Sequence, residues 1–206
     1  MNIPELLTED HTQKVVVFYG GRFQPMHKGH YKVYKFLADK FGADNIFIAT
    51  MFGKKQQAMH DGNDYSRDPF TFPEKQHIIS TMFNIQADHI VNTMPYRPDI
   101  KLIGRDPYTT AVVLAFSEKD IGRLTPGNVL QQYNDGATLE SRLDPDTNAE
   151  RVYYMTVPTY EDDMSATNFR DVMRSSASDE DKGKVFMKFF GKWNGNIFTM
   201  IDKRIN

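Results

Sequence analysis

The chain contains no cysteine among its 206 residues. Disulfide bonds and zinc–thiolate centres are therefore excluded, and we predict a reducing cytoplasm as its location. No stretch approaches the ~20 apolar residues that a membrane-spanning helix requires, so no membrane partner is expected. The N-terminal segment 1–13 carries acidic residues without an apolar core, which is not the pattern of a signal peptide.

An excess of charge of one sign is also missing. The chain has 25 basic and 27 acidic residues, and its formal net charge is −2. This balance does not indicate a nucleic-acid partner, although a local basic cleft is compatible with it. Hydrophobic residues make up 40% of the chain, which is typical of a globular domain with its own core.

Apolar runs alternate with helical patterns along most of the chain. Strands are predicted at 14–21, 45–51, 89–94, 111–116 and 151–158. Helices are predicted at 27–42, 71–83 and 165–175, with a less regular helix near 99–110 and one or two helices after 176. The polar stretch 52–69 is interpreted as a long loop. Strand, helix and strand in close succession predict an α/β fold with a parallel sheet of about five strands.

The same patterns divide the chain into segments. Residues 1–13 form an N-terminal extension, 14–175 the main domain and 176–206 a C-terminal helical segment. Residues 121–150 are rich in Gly, Pro, Asn and Asp, and we interpret them as an excursion from the sheet, as a hairpin or a lid.

The stretch "GGRFQPMHKGH" follows the first predicted strand and opens the first helix. Its glycines allow a ligand to approach the backbone, and the helix start offers free N–H groups to a phosphate. His27 and His30 lie one turn apart and face the same side. A metal site is the alternative for a His-x-x-His pair, but no third ligand is evident. We interpret the histidines as a phosphate-handling pair, not as metal ligands or helix caps.

"GRFQPMHKGH" closely resembles the H-x-G-H signature of the nucleotidyltransferase superfamily. Its G-R-F-Q-P form is similar to nicotinamide-nucleotide adenylyltransferases of the archaeal type and to related bifunctional bacterial and phage proteins. Cytidylyltransferases usually show G-x-F-D at this place. "RDPFTFPEKQHII" at 67–79 and "MSATNFRDVM" at 164–173 resemble two further stretches of the superfamily. The resemblance implies a Rossmann-like core with helices on both faces.

The resemblance also implies a reaction and the residues that carry it. A phosphate of an acceptor, nicotinamide mononucleotide in the leading hypothesis, attacks the α-phosphorus of ATP, which yields NAD and pyrophosphate. Mg²⁺ accompanies ATP, no protein metal site is expected, and a homo-oligomer is one option because relatives often form oligomers. The implied catalytic residues are His27, His30 and Arg170; the nucleotide-binding residues are Gly21, Arg22, Phe23, Gln24, Ser117, Ser165 and Thr167; and the substrate-binding residue is Arg67.

Two alternatives stay open from the sequence. One is a related transferase with another acceptor or base, because Ser117 stands where relatives usually carry a glycine-containing turn beside the base. The other is a catalytically idle nucleotide-binding module. An aromatic residue stacking on nicotinamide would favour the NAD hypothesis, and the candidates in loops are Phe52, Tyr65, Tyr96 and Tyr108.

Overall fold

The protein is described from a computed structural model, which covers residues 14–121, 129–160 and 165–206. The predicted extension 1–13, part of the predicted excursion (122–128) and Met164 of the second motif lie outside the described residues.

Six strands form one parallel sheet. They are β1 (Lys14–Gly20), β2 (Ile46–Ala49), β3 (Ile90–Val91), β4 (Thr110–Ser117), β5 (Leu130–Gln132) and β6 (Val152–Val157). Their order is β3-β2-β1-β4-β6-β5. The predicted Rossmann-like parallel sheet is confirmed, with one strand more than the expected five.

The additional strand β5 lies within the segment that was predicted to leave the sheet. Leu130 pairs with Val152 and Gln132 with Tyr154, so β5 forms the outer edge beside β6. Its three residues are too few for an apolar pattern to reveal them in the sequence. The strand predicted at 89–94 is reduced to the two residues of β3.

Seven α-helices are described. They are α1 (Lys28–Phe41), α2 (Lys54–Asp61), α3 (Phe72–Phe83), α4 (Glu118–Ile121), α5 (Ala166–Arg174), α6 (Asp179–Phe190) and α7 (Gly195–Ile205). Helix α2 corrects the prediction that 52–69 is a loop: its sequence KKQQAMHD suits a helix but has too few apolar residues for a visible periodicity. None of the helices in the described ranges is long and apolar enough to cross a membrane.

Each face of the sheet has its own core. On one face Val17 packs with Leu37 of α1, Ile79 of α3, Phe169 of α5 and Ile201 of α7. The C-terminal helices α6 and α7 therefore share the core of the sheet, because their buried side chains belong to the same cluster.

The opposite face of the sheet is covered differently. Phe18 and Leu114 pack there with Ile100, which belongs to a 3₁₀ turn at Ile100–Ile103. This turn replaces the helix predicted near 99–110, and it ends at Gly104, whose φ of 66° is a left-handed conformation that glycine adopts without strain. The second face thus carries a short turn where the sequence predicted a full helix.

Candidate nucleotide-binding site

The loops that follow β1, β4 and β6 meet around a cavity of about 400 Å³. These strands are neighbours in the sheet, so their carboxyl ends lie side by side at the edge where open α/β sheets bind ligands. Nine of the eleven predicted site residues line this cavity: Gly21, Arg22, Phe23, Gln24, His27, His30, Ser117, Thr167 and Arg170.

The two histidines cap the start of α1 reciprocally. His27 is the N-cap, and its Nδ1 accepts hydrogen bonds from the backbone N–H groups of Gly29 (3.0 Å) and His30 (3.4 Å). Nδ1 of His30 in turn accepts from the backbone N–H of His27 at 3.3 Å. The interpretation that the pair does not act as caps was therefore wrong: both rings form a capping box, the arrangement usually built by Ser or Thr with Glu or Gln.

Capping fixes which nitrogen carries the proton. A neutral imidazole whose Nδ1 accepts a hydrogen bond holds its proton on Nε2. Burial, followed by the neighbouring His27, lowers the pKa of His30 well below its usual value of 6.5. His30 lines the cavity, and with Nδ1 engaged in the cap, Nε2 of the neutral ring is the nitrogen left to donate a hydrogen bond to a ligand at pH 7.

Gly29 between the histidines is required by a close approach of two segments. A Cβ atom at this position would lie 2.5 Å from the backbone oxygen of Tyr160, which belongs to the loop after β6. No side chain fits at that distance, so the H-x-G-H glycine lets the start of α1 pack directly against the loop that leads to α5.

The β1–α1 loop is held to the rest of the protein at several points. The backbone N–H of Gly21 donates to the oxygen of Ala49 at 3.1 Å. The side chain of Gln24 forms two hydrogen bonds with the backbone of Phe70: its Oε1 accepts at 3.0 Å and its Nε2 donates at 3.3 Å. Gln24 is buried, and its side chain fixes the loop to the segment before α3.

Arg170 links the second motif to the first. Its Nη1 donates to the backbone oxygen of Gln24 at 2.6 Å, across 146 positions of sequence, and its Nη2 donates to Thr167 Oγ1 at 3.3 Å. Burial lowers the pKa of Arg170, and the nearby cations Arg174 and Arg22 lower it further. Positive charge is therefore gathered around the cavity at the point where the two motifs meet.

Two predicted residues do not line the cavity. Ser165 is the N-cap of α5, and its Oγ accepts from the backbone N–H of Asn168 at 3.3 Å. Arg67 is exposed in the segment before α3. The adjacent Asp68 is instead buried, and its carboxylate lies 4.0 Å from the guanidinium of Arg22.

The far wall of the cavity is formed by the end of β4. Ser117 Oγ donates to Asp120 Oδ2 at 2.9 Å, and both residues line the cavity. Tyr19 also lines it, and burial, assisted by the charge of Asp120, raises the pKa of this phenol. This wall offers a carboxylate and hydroxyl groups, which are suited to hydrogen-bond the edge of a base.

Sequence reasoning missed several residues of this region. Tyr19, Asp120 and Tyr160 line the cavity, but none belongs to a motif. Lys75 lies in the stretch 67–79 that resembles the superfamily, and the sequence gives it no role. The structure buries it almost completely, at 2% exposure. Only its position in a helix that packs on the sheet distinguishes it from a surface lysine, and that packing is not visible in the sequence.

The aromatic candidates for stacking on an acceptor lie in different environments. Phe52 and Tyr65 both contact the ring of His60 edge-on, with centroids 4.9 Å apart in each pair. Tyr96 stacks on Phe116, also at 4.9 Å. Tyr108 is exposed and its hydroxyl contacts Asn148 at 3.3 Å. None of the four lines the cavity itself.

A parallel α/β sheet with strand-to-helix loops around a cavity at the carboxyl ends of its strands defines the Rossmann-like class of α/β folds. A family model described as cytidylyltransferase-like matches residues 18–172. This match spans most of the chain, so the chain belongs to the cytidylyltransferase-like family, within the nucleotidyltransferase superfamily.

Comparison with solved structures found a bifunctional NMN adenylyltransferase/ADP ribose pyrophosphatase from Francisella tularensis, solved with AMP and a manganese ion. It is 14% identical with a TM-score of 0.43, and the match covers 93% of the present chain and 52% of that protein. The chain thus spans about half the length of this structural neighbour. No curated protein matches the sequence.

Proposed function

We propose that the protein transfers the AMP moiety of ATP to a phosphate of a small acceptor, with nicotinamide mononucleotide as the acceptor and NAD and pyrophosphate as products. The observation that carries the proposal is the meeting of His27, His30, Thr167 and Arg170 in one cavity at the carboxyl ends of neighbouring strands. The choice of nicotinamide mononucleotide depends on the resemblance of the G-R-F-Q-P stretch.

The chemistry needs no covalent intermediate with the protein. An oxygen of the acceptor phosphate forms a bond to the α-phosphorus, and the bond from that phosphorus to the bridging oxygen breaks, so that pyrophosphate leaves with the electron pair. The protein positions the two reactants and stabilises the charge that develops on the phosphoryl oxygens.

His30 is suited to that stabilisation because its Nε2–H is a donor already oriented by the capping box. Such preorganised donors act most strongly in an enclosed site. A neutral imidazole does not lose a proton during the reaction, so His30 serves as a hydrogen-bond donor and not as an acid. The guanidinium of Arg170, held by Gln24 and Thr167, adds positive charge on the same side.

Mg²⁺ would enter with the nucleotide as part of the Mg–ATP substrate. Within the described ranges no group of three or more histidine or carboxylate side chains could hold a metal ion. Phosphate oxygens and water are common ligands of Mg²⁺. The ion would neutralise the charge of the phosphates, while the side chains of the cavity orient them.

The test is pyrophosphate release from ATP, nicotinamide mononucleotide and Mg²⁺, with parallel reactions that contain CTP or other phosphorylated acceptors. The matched variants are His30→Gln, which keeps an acceptor for the capping box, and His77→Ala, which removes an exposed histidine of α3. A glutamine amide also carries N–H donors, but on a flexible side chain that does not hold them at the position of the ring N–H. We therefore expect His30→Gln to lower kcat by about 10²–10³-fold, the usual effect of losing an oriented donor to a developing anion. His77→Ala should match the wild type.

Three results would redirect the proposal. Product with CTP or with another acceptor would retain the transferase and exclude NAD synthesis. Binding of ATP without product from any acceptor would favour an idle nucleotide-binding module. Full activity of His30→Gln would refute the role of the imidazole.

A further inference from the structure

Lys75 lies in the first turn of α3 and is buried under the sheet edge at 2% exposure. Its Nζ donates hydrogen bonds to Thr50 Oγ1 at 3.2 Å and to the backbone oxygen of Met51 at 3.0 Å. Both acceptors follow directly after β2. Within the described part of the chain, no carboxylate lies at ion-pair distance from this amine.

Thr50 connects Lys75 to the loop 21–24 through a second hydrogen bond. It is completely buried, and its Oγ1 donates to the backbone oxygen of Arg22 at 3.1 Å. A threonine hydroxyl has a single hydrogen. Because that hydrogen is donated to Arg22, the hydroxyl must accept from Lys75. The two hydrogen bonds therefore run in one direction, from Lys75 to Thr50 and from Thr50 to Arg22.

The charge environment supports a role beyond filling space. Burial lowers the pKa of Lys75 to about 8, with an opposing contribution from Asp68 and a smaller lowering by Arg22. An apolar side chain of similar length would fill the position without desolvating an amine. What the lysine contributes instead is a pair of hydrogen bonds at the base of the loop.

We propose that Lys75 is a positioning residue that fixes the backbone of the loop 21–24 for the nucleotide, through the hydroxyl of Thr50. The inference rests on the proposed function, because it assigns Lys75 to the site that binds the nucleoside triphosphate. Arg22 and Phe23 line the cavity, and the carbonyl of Arg22 is the point that Thr50 holds.

Other contacts limit the size of the effect. Gln24, two residues further on, is held independently by Phe70 and by Arg170. Loss of Lys75 therefore releases only the Arg22 end of the loop. We expect weaker binding of MgATP, by about 10-fold, which is the effect of roughly one hydrogen bond of this kind, and not complete loss of binding.

The experiment measures the dissociation constant of MgATP by calorimetry without acceptor, so that it does not depend on transfer. The variants are Lys75→Met, Thr50→Val, the double variant, and Thr50→Ser, which keeps the hydroxyl. The matched control is Lys182→Met, which removes another buried lysine, paired with Asp202 at 3.1 Å in the C-terminal helices. Urea unfolding of every variant verifies that it is folded.

Lys75→Met and Thr50→Val should each raise the dissociation constant of MgATP about 10-fold. The double variant should bind MgATP no more weakly than either single variant. Thr50→Ser and Lys182→Met should bind as the wild type does. Wild-type affinity in Lys75→Met, multiplied effects in the double variant, or a weakened Thr50→Ser would each overturn the inference. If Lys75→Met does not fold, the MgATP affinities of Thr50→Val and Thr50→Ser are compared alone, and equal affinities overturn the inference. A wild-type chain that binds neither MgATP nor MgCTP refutes the proposed function itself.

Discussion

The buried amine of Lys75 makes the stability of the protein depend on pH in a defined direction. Its pKa of about 8 in the folded chain compares with 10.5 for an ordinary lysine. Below pH 8 both the folded and the unfolded chain hold the proton, and the full cost of burying the charge is present. Between the two pKa values only the unfolded chain holds it, so the free energy of unfolding rises with pH.

The size of this effect follows from the two pKa values. Each pKa unit corresponds to about 1.4 kcal/mol, so the full cost is roughly 3 kcal/mol. Between about pH 6.5 and about pH 9.5, roughly 2 kcal/mol of it is relieved. Lys75→Met removes the titrating group. It also removes two hydrogen bonds, and their loss changes the free energy of unfolding by an amount that does not vary with the titration of Lys75.

The measurement is urea unfolding of the wild type and of Lys75→Met, followed by circular dichroism at several pH values. The quantity of interest is the difference between their free energies of unfolding, because other titrating groups contribute equally to both. The wild type should gain roughly 2 kcal/mol relative to the variant over the range. Lys54→Met, at the exposed start of α2, controls for the loss of one positive charge. A difference that stays constant with pH would refute the reasoning.

Three further predictions concern the loops of the site. Gly29→Ala, whose Cβ would lie 2.5 Å from the Tyr160 oxygen, should destabilise the protein by about 1–3 kcal/mol and lower activity. The control is Gly183→Ala, whose Cβ would lie 3.6 Å from Trp193 and which should be neutral or stabilising. Urea titrations of both variants check this. Gln24→Leu leaves the backbone groups of Phe70 unpaired and should cost about 2 kcal/mol or more in the same assay. Ser165→Ala should lose about 1 kcal/mol of stability as a lost N-cap, with nucleotide affinity by calorimetry nearly unchanged; a large loss of affinity there would mean that Ser165 contacts the ligand.

The predicted elements that agree with the structure are those with a strong local signal. β1 and β4 are continuous apolar runs, and α3 begins with the capping box of Thr71 and Glu74, whose carboxylate accepts from the Thr71 backbone N–H at 2.7 Å. Helix α2 and strand β5 were missed because one is almost entirely polar and the other has three residues. Neither leaves a periodic pattern in the sequence.

The residues of the site divide in a similar way. The motif residues are predicted because their stretches resemble those of a known superfamily, and their glycines, helix starts and basic side chains suit a phosphate. Gln24 is predicted to line the nucleotide site through its backbone, and it lines the cavity. The sequence does not predict that its side chain holds Phe70, since a contact across 46 positions depends on how the loops pack. Arg67, predicted to hold the acceptor's phosphate or the triphosphate, lies exposed outside the cavity.

Local patterns predict the parallel α/β architecture and the histidine motif, because both depend on neighbours within a few residues. Tertiary packing determines which atoms of that motif remain for a ligand: the Nδ1 atoms cap α1, which leaves Nε2–H of the neutral His30 ring. It also placed Lys75 beneath the loop, where burial makes an ordinary lysine a titrating group near neutral pH. Protonation and hydrogen-bond direction depend on the surrounding atoms, and those come from distant parts of the chain.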